Sequence, residues 1–228
     1  MERPSWWLPR PGGQPDVRTR RAFDALYGEA VAAGPPTPID YRLDAPKWQF
    51  LCHLGDAGLV VMHGSGRDDI AQFEPRQSND VSAFGAQRAV YASSDGIWPL
   101  FFAVIDRDGY DGTLVNASIR FGDEREPAYF FSLNADQLPS RPWRNGTVYL
   151  LPTDGFLAEP VINAGPDRVT STQVVSLEPV VPLARLAVSP ADFPFLDQVR
   201  GHDEAVLRRR SAADPDGFPW LQDGEASH

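Results

Sequence analysis

Leu59-Val60-Val61-Met62-His63-Gly64-Ser65-Gly66 opens on four apolar residues and closes on a histidine and a glycine-rich turn. An apolar run of that length, bounded by turn residues, reads as a buried strand, so His63 ends the strand. The glycines beyond it leave the backbone open to close approach by another group. An imidazole in that place can donate a hydrogen bond to a ligand hydroxyl, and the Gly64 backbone can bond an amide. The same residues also read as a plain strand end followed by a Gly-Ser turn. Further on, Ala89-Val90-Tyr91-Ala92-Ser93 is a second β-prone run, in which alternation sets Tyr91 on the face opposite Val90. A tyrosine ring on a strand stacks on a flat ligand ring or fills the core.

The mostly polar residues 67–88 make a long loop between these two strands, and loops of that length are often functional. Within it, Arg76 either grips a phosphate or carboxylate bidentately or pairs with Glu74 or Asp80 to order the loop. Past Ser93, Asp95 is placed to cap a short helix over residues 97–105, with Pro99 tolerated in its first turn. Trp98, Phe101 and Phe102 recur there at helical spacing and pack the helix on the sheet.

Outward from this centre, residues 1–15 read as an irregular arm pinned by Trp6 and Trp7. Asp16 caps a helix over residues 17–33, whose Phe23, Leu26, Tyr27, Ala30 and Val31 fall on one side before Gly34-Pro35-Pro36 stops it. Strands are expected over residues 48–53, 114–121, 128–133, 147–151, 170–176 and 182–188, with Asp111-Gly112 and Asn145-Gly146 as turn dipeptides. Ser189-Pro190-Ala191-Asp192 has the capping-box pattern, and residues 203–210 form one more helix. Residues 212–228 are a loosely held tail apart from Phe218 and Trp220. With no repeat and no dividing linker, the chain reads as a strand-rich α+β single domain over residues 1–228.

Composition bounds the function. Hydrophobic residues at 42% and charged residues at 23% are ordinary globular usage, and 22 prolines with 19 glycines imply many turns and short elements. A net charge of -10 repels nucleic acid; the basic runs Arg18-Thr19-Arg20-Arg21 and Arg208-Arg209-Arg210 read as solvated helix faces. Cys52 is the only cysteine, which fits a reducing, cytoplasmic compartment, and its apolar neighbours make it a small buried hydrophobe. No run approaches ~18 apolar residues, so no membrane span is expected. Gly-x-Gly-x-x-Gly, a phosphate-loop lysine and metal-ligand spacing are all missing. His63 occupies the place where a Gly-x-Ser-x-Gly hydrolase motif needs a glycine.

A strand ending in His-Gly-Ser, a loop, and a strand reading Val-Tyr-Ala-Ser together resemble the ADP-ribosyltransferase-like fold in its His-Tyr-Glu branch, carried here by His63-Gly64-Ser65 and Val90-Tyr91-Ala92-Ser93. The likeness covers mainly residues 58–107. It implies two packed, mostly antiparallel sheets with a few short helices. It also implies NAD as ligand and substrate: His63 on a ribose, the Gly64 backbone on the nicotinamide amide, and Tyr91 stacked on the nicotinamide ring. Ser65 would assist, with Ser93 and Arg76 as further binding residues.

The resemblance departs at the glutamate that steadies the cation-like transition state. Gln173 stands where the late strand calls for it, and Glu178, just before Pro179, falls out of phase. A glutamine keeps the hydrogen-bonding shape without the charge, and losing such a term costs on the order of 10²–10³ in rate. The expectation is therefore an NAD-binding, ADP-ribosyltransferase-like protein, better furnished for binding a small nucleotide than for transfer to a protein or other acceptor. Two alternatives stand beside it. One is a non-catalytic acidic interaction or immunity-type protein facing a basic partner. The other is an RNA 2′-phosphotransferase-like enzyme, for which Arg76, Arg107 and Arg120 are available.

Overall fold

A computed structural model describes residues 4–78, 84–164, 167–214 and 217–220. In chain order the elements are β1 (Leu8–Pro9), α1 (Val17–Ala32), β2 (Thr37–Pro38), α2 (Lys47–Asp56), β3 (Val61–Ser65), β4 (Arg76–Gln77), β5 (Arg88–Ser93) and α3 (Trp98–Val104). There follow β6 (Val115–Phe121), β7 (Ala128–Asn134), β8 (Gly146–Leu151), β9 (Leu157–Ala158), β10 (Ile162–Ala164), β11 (Asp167–Ser171), β12 (Gln173–Ser176), β13 (Ala184–Val188), β14 (Arg200–His202) and α4 (Glu204–Ala213). Among the described residues this is a strand-rich α+β arrangement of two mostly antiparallel sheets and four α-helices.

The larger sheet runs β2-β13-β8-β3-β5-β12-β9, with β4 also on β5; the smaller runs β1-β7-β6-β11-β10, with β14 also on β7. Only β13–β2 and β14–β7 are parallel pairs among the described strands. The main core joins the two sheets. Met62, Val148 and Leu150 supply it from the larger, Tyr129, Phe131 and Leu133 from the smaller, and α3 lies between. Phe101 of α3, fully buried, has its ring centroid 4.9 Å from that of Phe131 on β7.

Local chemistry explains most helix boundaries. Asp16 accepts from the Thr19 amide at 2.7 Å to start α1, and Gly34, at φ +90°, follows its end. Asp95 starts α3: its Oδ2 accepts from Ile97 N at 2.9 Å and Trp98 N at 3.0 Å. The strand expected over residues 48–53 is instead the helix α2. Short apolar runs do not distinguish strand from buried helix by pattern. Here Phe50, Leu51 and Leu54, at helical spacing, all turn into the core. Cys52 is buried with them, and burial together with the Asp95 charge pushes its thiol pKa up.

The strand expected over residues 170–176 is two strands in two sheets. β11 pairs with β6 in the smaller sheet and β12 with β5 in the larger, and the chain changes sheet at Thr172. That residue is fully buried. Its amide donates to Ser118 O at 3.0 Å, and its carbonyl accepts from Ser94 N at 2.9 Å. One residue thus satisfies a strand of each sheet, which is how packed sheets make a corner.

The arm is more ordered than its composition predicts. β1 pairs with β7, and Trp7 packs edge-on against Phe121 at 5.3 Å. At the other end α4 continues to Ala213, past the expected residue 210, and Trp220 Nε1 donates to Asp214 O at 2.7 Å. No helix among the described residues is long and apolar enough to cross a membrane.

Candidate functional site

β3 lies between β8 and β5, and its two ladders differ in length. Against β8 it pairs from Val61 opposite Leu151 through Ser65 opposite Thr147. Against β5 it pairs at one position, Met62 opposite Ser93. Beyond Met62 the strands part. Among the described residues, the β5-facing edge of His63, Gly64 and Ser65 has no strand partner. Such an edge offers backbone donors and acceptors to anything that enters the split.

His63 spans the opening. Its Nδ1 lies 2.6 Å from the backbone carbonyl oxygen of Tyr91. A carbonyl only accepts, so the Nδ1 carries the proton. Burial, with the Arg76 charge adding to it, pulls the His63 pKa below the ordinary imidazole value, against the opposing effect of the Tyr91 hydrogen bond. The neutral ring therefore presents Nε2 as an acceptor. Sequence reasoning expected a donor toward a ligand hydroxyl; the geometry reverses that role, and a hydroxyl would donate to His63. The ring packs 4.6 Å from Phe73, which sits 5.1 Å from Tyr149.

Gly64 is required by the helix above it. A Cβ there would overlap the Pro99 carbonyl oxygen and come within 2.8 Å of Ala103 N. Helix α3 therefore packs directly on the strand at this point. Ser65 is half-buried, and its Oγ accepts from the Arg67 amide at 3.1 Å. The next residue, Gly66, lies under the guanidinium of Arg144, which donates to Asp108 at 2.5 Å and pairs with Asp106 at 3.2 Å.

Alternation turns Val90 and Ala92 toward the cluster that holds Phe73 and Tyr149, and turns Tyr91 with Ser93 to the other face. The His63 and Tyr91 rings are thus not two walls facing each other across one side of the sheet. A ligand touching both has to enter at the split. Tyr91 is half-buried, and its hydroxyl lies 2.5 Å from Gly85 O and 2.6 Å from Gln87 O, so it pins the end of the loop before β5. Ser93 is committed inward. Its Oγ sits 3.0 Å from Thr172 Oγ1 and accepts from Asp95 N, also at 3.0 Å.

Gln173 is half-buried opposite Ser93, on the Tyr91 face, two residues along from the Val175–Tyr91 pair. Glu178 is exposed beyond the end of β12, and its amide donates to Ser176 Oγ at 3.2 Å. Only the glutamine therefore shares a face with Tyr91. Arg76 is exposed on β4, opposite Ala89 of β5. Asp80, its possible partner, lies outside the described residues. Arg107 follows α3, and Arg120 is on β6 of the smaller sheet.

Sequence reasoning missed several residues that shape the site. Tyr149 stands opposite His63; its hydroxyl donates to Arg67 O at 3.0 Å and accepts from Ile70 N at 3.1 Å, holding the loop after β3. Phe73 extends that hold through its bridge to Val180. The strand expected over residues 147–151 contains Tyr149, but nothing local tells which strand it meets. No protein-family model, curated protein or solved structure matches this chain.

Proposed function

We propose that the split between β3 and β5 binds NAD or a related ADP-ribosyl nucleotide, and that the chain is an ADP-ribosyltransferase-like protein of the His-Tyr-Glu type. The observation that carries the reading is the early end of the β3–β5 ladder at Met62–Ser93, bridged by His63 on the Tyr91 carbonyl. An open backbone edge suits a carboxamide, which needs one donor and one acceptor. The Nε2 of a neutral His63 suits a ribose hydroxyl. Tyr91 supplies an aromatic ring on the β5 side.

Binding is better supported than transfer. ADP-ribosyl transfer builds positive charge at the ribose, and an anionic side chain offsets it. Gln173 is on the Tyr91 face but has no charge; Glu178 has the charge and sits off the strand. A second reading, a non-catalytic interaction protein for a basic partner, is favoured by this glutamine and by the net charge of -10.

Melting of the purified chain with increasing NAD separates the two readings. Ligand at 100 times its dissociation constant adds about 2.7 kcal/mol of stability, a shift of several degrees. His63→Ala and Tyr91→Ala are each expected to abolish the shift. No shift at millimolar NAD sinks the nucleotide reading.

A further inference from the structure

A concavity that His63, Tyr91 and Gln173 do not line lies between the N-terminal arm, α1, α2 and the turn joining β6 to β7, with a volume of about 560 Å³. That size falls within the range of about 300–1,000 Å³ usual for small-molecule sites. Its wall carries four arginines, Arg10, Arg20, Arg120 and Arg125, against two carboxylates, Asp56 and Glu126.

The pairing within the wall leaves cationic charge over. Asp56 is matched by Arg10, whose Nη1 and Nη2 donate to it at 2.6 Å and 3.1 Å. Glu126 accepts from Gln14 at 2.9 Å. Arg20 donates to Pro15 O at 2.7 Å through one Nη, and Arg120 donates to Arg125 O at 2.9 Å through Nε. Among the described residues none of Arg20, Arg120 and Arg125 meets a carboxylate. Glu126 keeps its charge beside the neutral Gln14 and offsets one of these three guanidinium groups, and the remaining like charges in one concavity favour a bound anion. The chain as a whole has 31 acidic against 21 basic residues, so acidic partners are not scarce.

The Lys/Arg side chains in the wall are all arginines. The planar fork of arginine binds phosphoryl oxygens two at a time, and several forks suit a group with several anionic oxygens. Arg10 is buried, and among the described residues its Nε has no hydrogen-bond partner. We propose that this groove is a binding site for a small phosphorylated anion bearing at least two phosphoryl charges, separate from the nucleotide split.

Inorganic pyrophosphate is the probe, titrated calorimetrically into the full chain at low salt. Saturable binding is expected, weakening as salt rises. Arg120→Gln/Arg125→Gln should weaken it by about tenfold or more, as loss of charge-assisted contacts does. Melting without ligand checks that this variant folds; Arg20→Gln is the second variant, with a severalfold loss expected. Arg209→Gln, which removes an exposed arginine of α4 outside the groove, should bind pyrophosphate as the parent does. Absence of saturable binding, unchanged affinity in the groove arginine variants, or an equal loss in Arg209→Gln would each overturn the proposal. Citrate binding as tightly as pyrophosphate would overturn the phosphoryl assignment.

Discussion

The Nδ1 of His63 hydrogen-bonds the backbone carbonyl of Tyr91 across the point where β3 and β5 stop pairing. This contact replaces the missing ladder, sets the tautomer, and leaves the opposite ring nitrogen as an acceptor.

Acidification should weaken the fold through His63. Its pKa is lowered from 6.5 in the native state, so near that pH the unfolded chain binds more protons. The stabilising contribution is complete above pH 6.5 and is lost as pH falls below it toward the lowered native value. His202 has the same sign: burial lowers its pKa, outweighing nearby acidic residues, and its Nδ1 sits 2.7 Å from Ser132 Oγ. Melting temperature against pH should therefore drop below about pH 6.5, more shallowly in His63→Gln. The same slope in variant and parent would show that His63 titrates normally.

Gly64→Ala should cost stability whether or not a nucleotide binds. The added methyl would meet the backbone of α3 at Pro99 and Ala103, which has no flexible end to move aside. Overpacking of this kind costs about 1–3 kcal/mol or more, a fall of several degrees in Tm. Ser65→Ala, which removes one half-buried hydroxyl, should cost less. Calorimetric melting of both variants makes the comparison.

Asp95→Ala should be among the most damaging single changes. Asp95 caps α3, accepts from Tyr129 Oη at 2.7 Å and faces the buried Arg10 at 3.2 Å. Burial is the largest single effect on Arg10 and would lower its pKa, but the Asp56 hydrogen bond and the neighbouring charges, Asp95 among them, together outweigh it, and the guanidinium stays charged. Removing one partner of a buried pair costs about 3–5 kcal/mol. Denaturant unfolding should show that Arg10→Met/Asp95→Ala costs less than the sum of the single changes. Strict additivity would mean the two do not interact.

Gln173→Glu tests whether transfer was lost at that position. Nicotinamide release from NAD should rise by about 10²–10³, the size of one electrostatic term. A rate equal to that of the parent would show that Gln173 is not the third group.

Elements with local signals were legible from sequence. Asp16 and Asp95 announced their helices because a capping carboxylate sits three residues from the amide it accepts from. β3, β5, β7 and β8 were visible as short apolar runs. α2 was not, since an apolar run too short to show its period is indifferent to helix or strand until a partner surface selects one. The break at Thr172 was hidden for a related reason: both halves have strand-forming sequences, and only the presence of two sheets to serve divides them.

The sequence by itself determined the composition of the candidate site: a histidine and glycine at a strand end, a tyrosine on a later strand, and a glutamine where a carboxylate was expected. Tertiary structure decided how they meet. The side of the sheet each ring occupies, the end of the β3–β5 ladder, the tautomer of His63 and the convergence of Arg20, Arg120 and Arg125 all depend on pairing between distant segments. Register and long-range charge placement follow from the packing of the whole chain, and no short window of residues contains that packing.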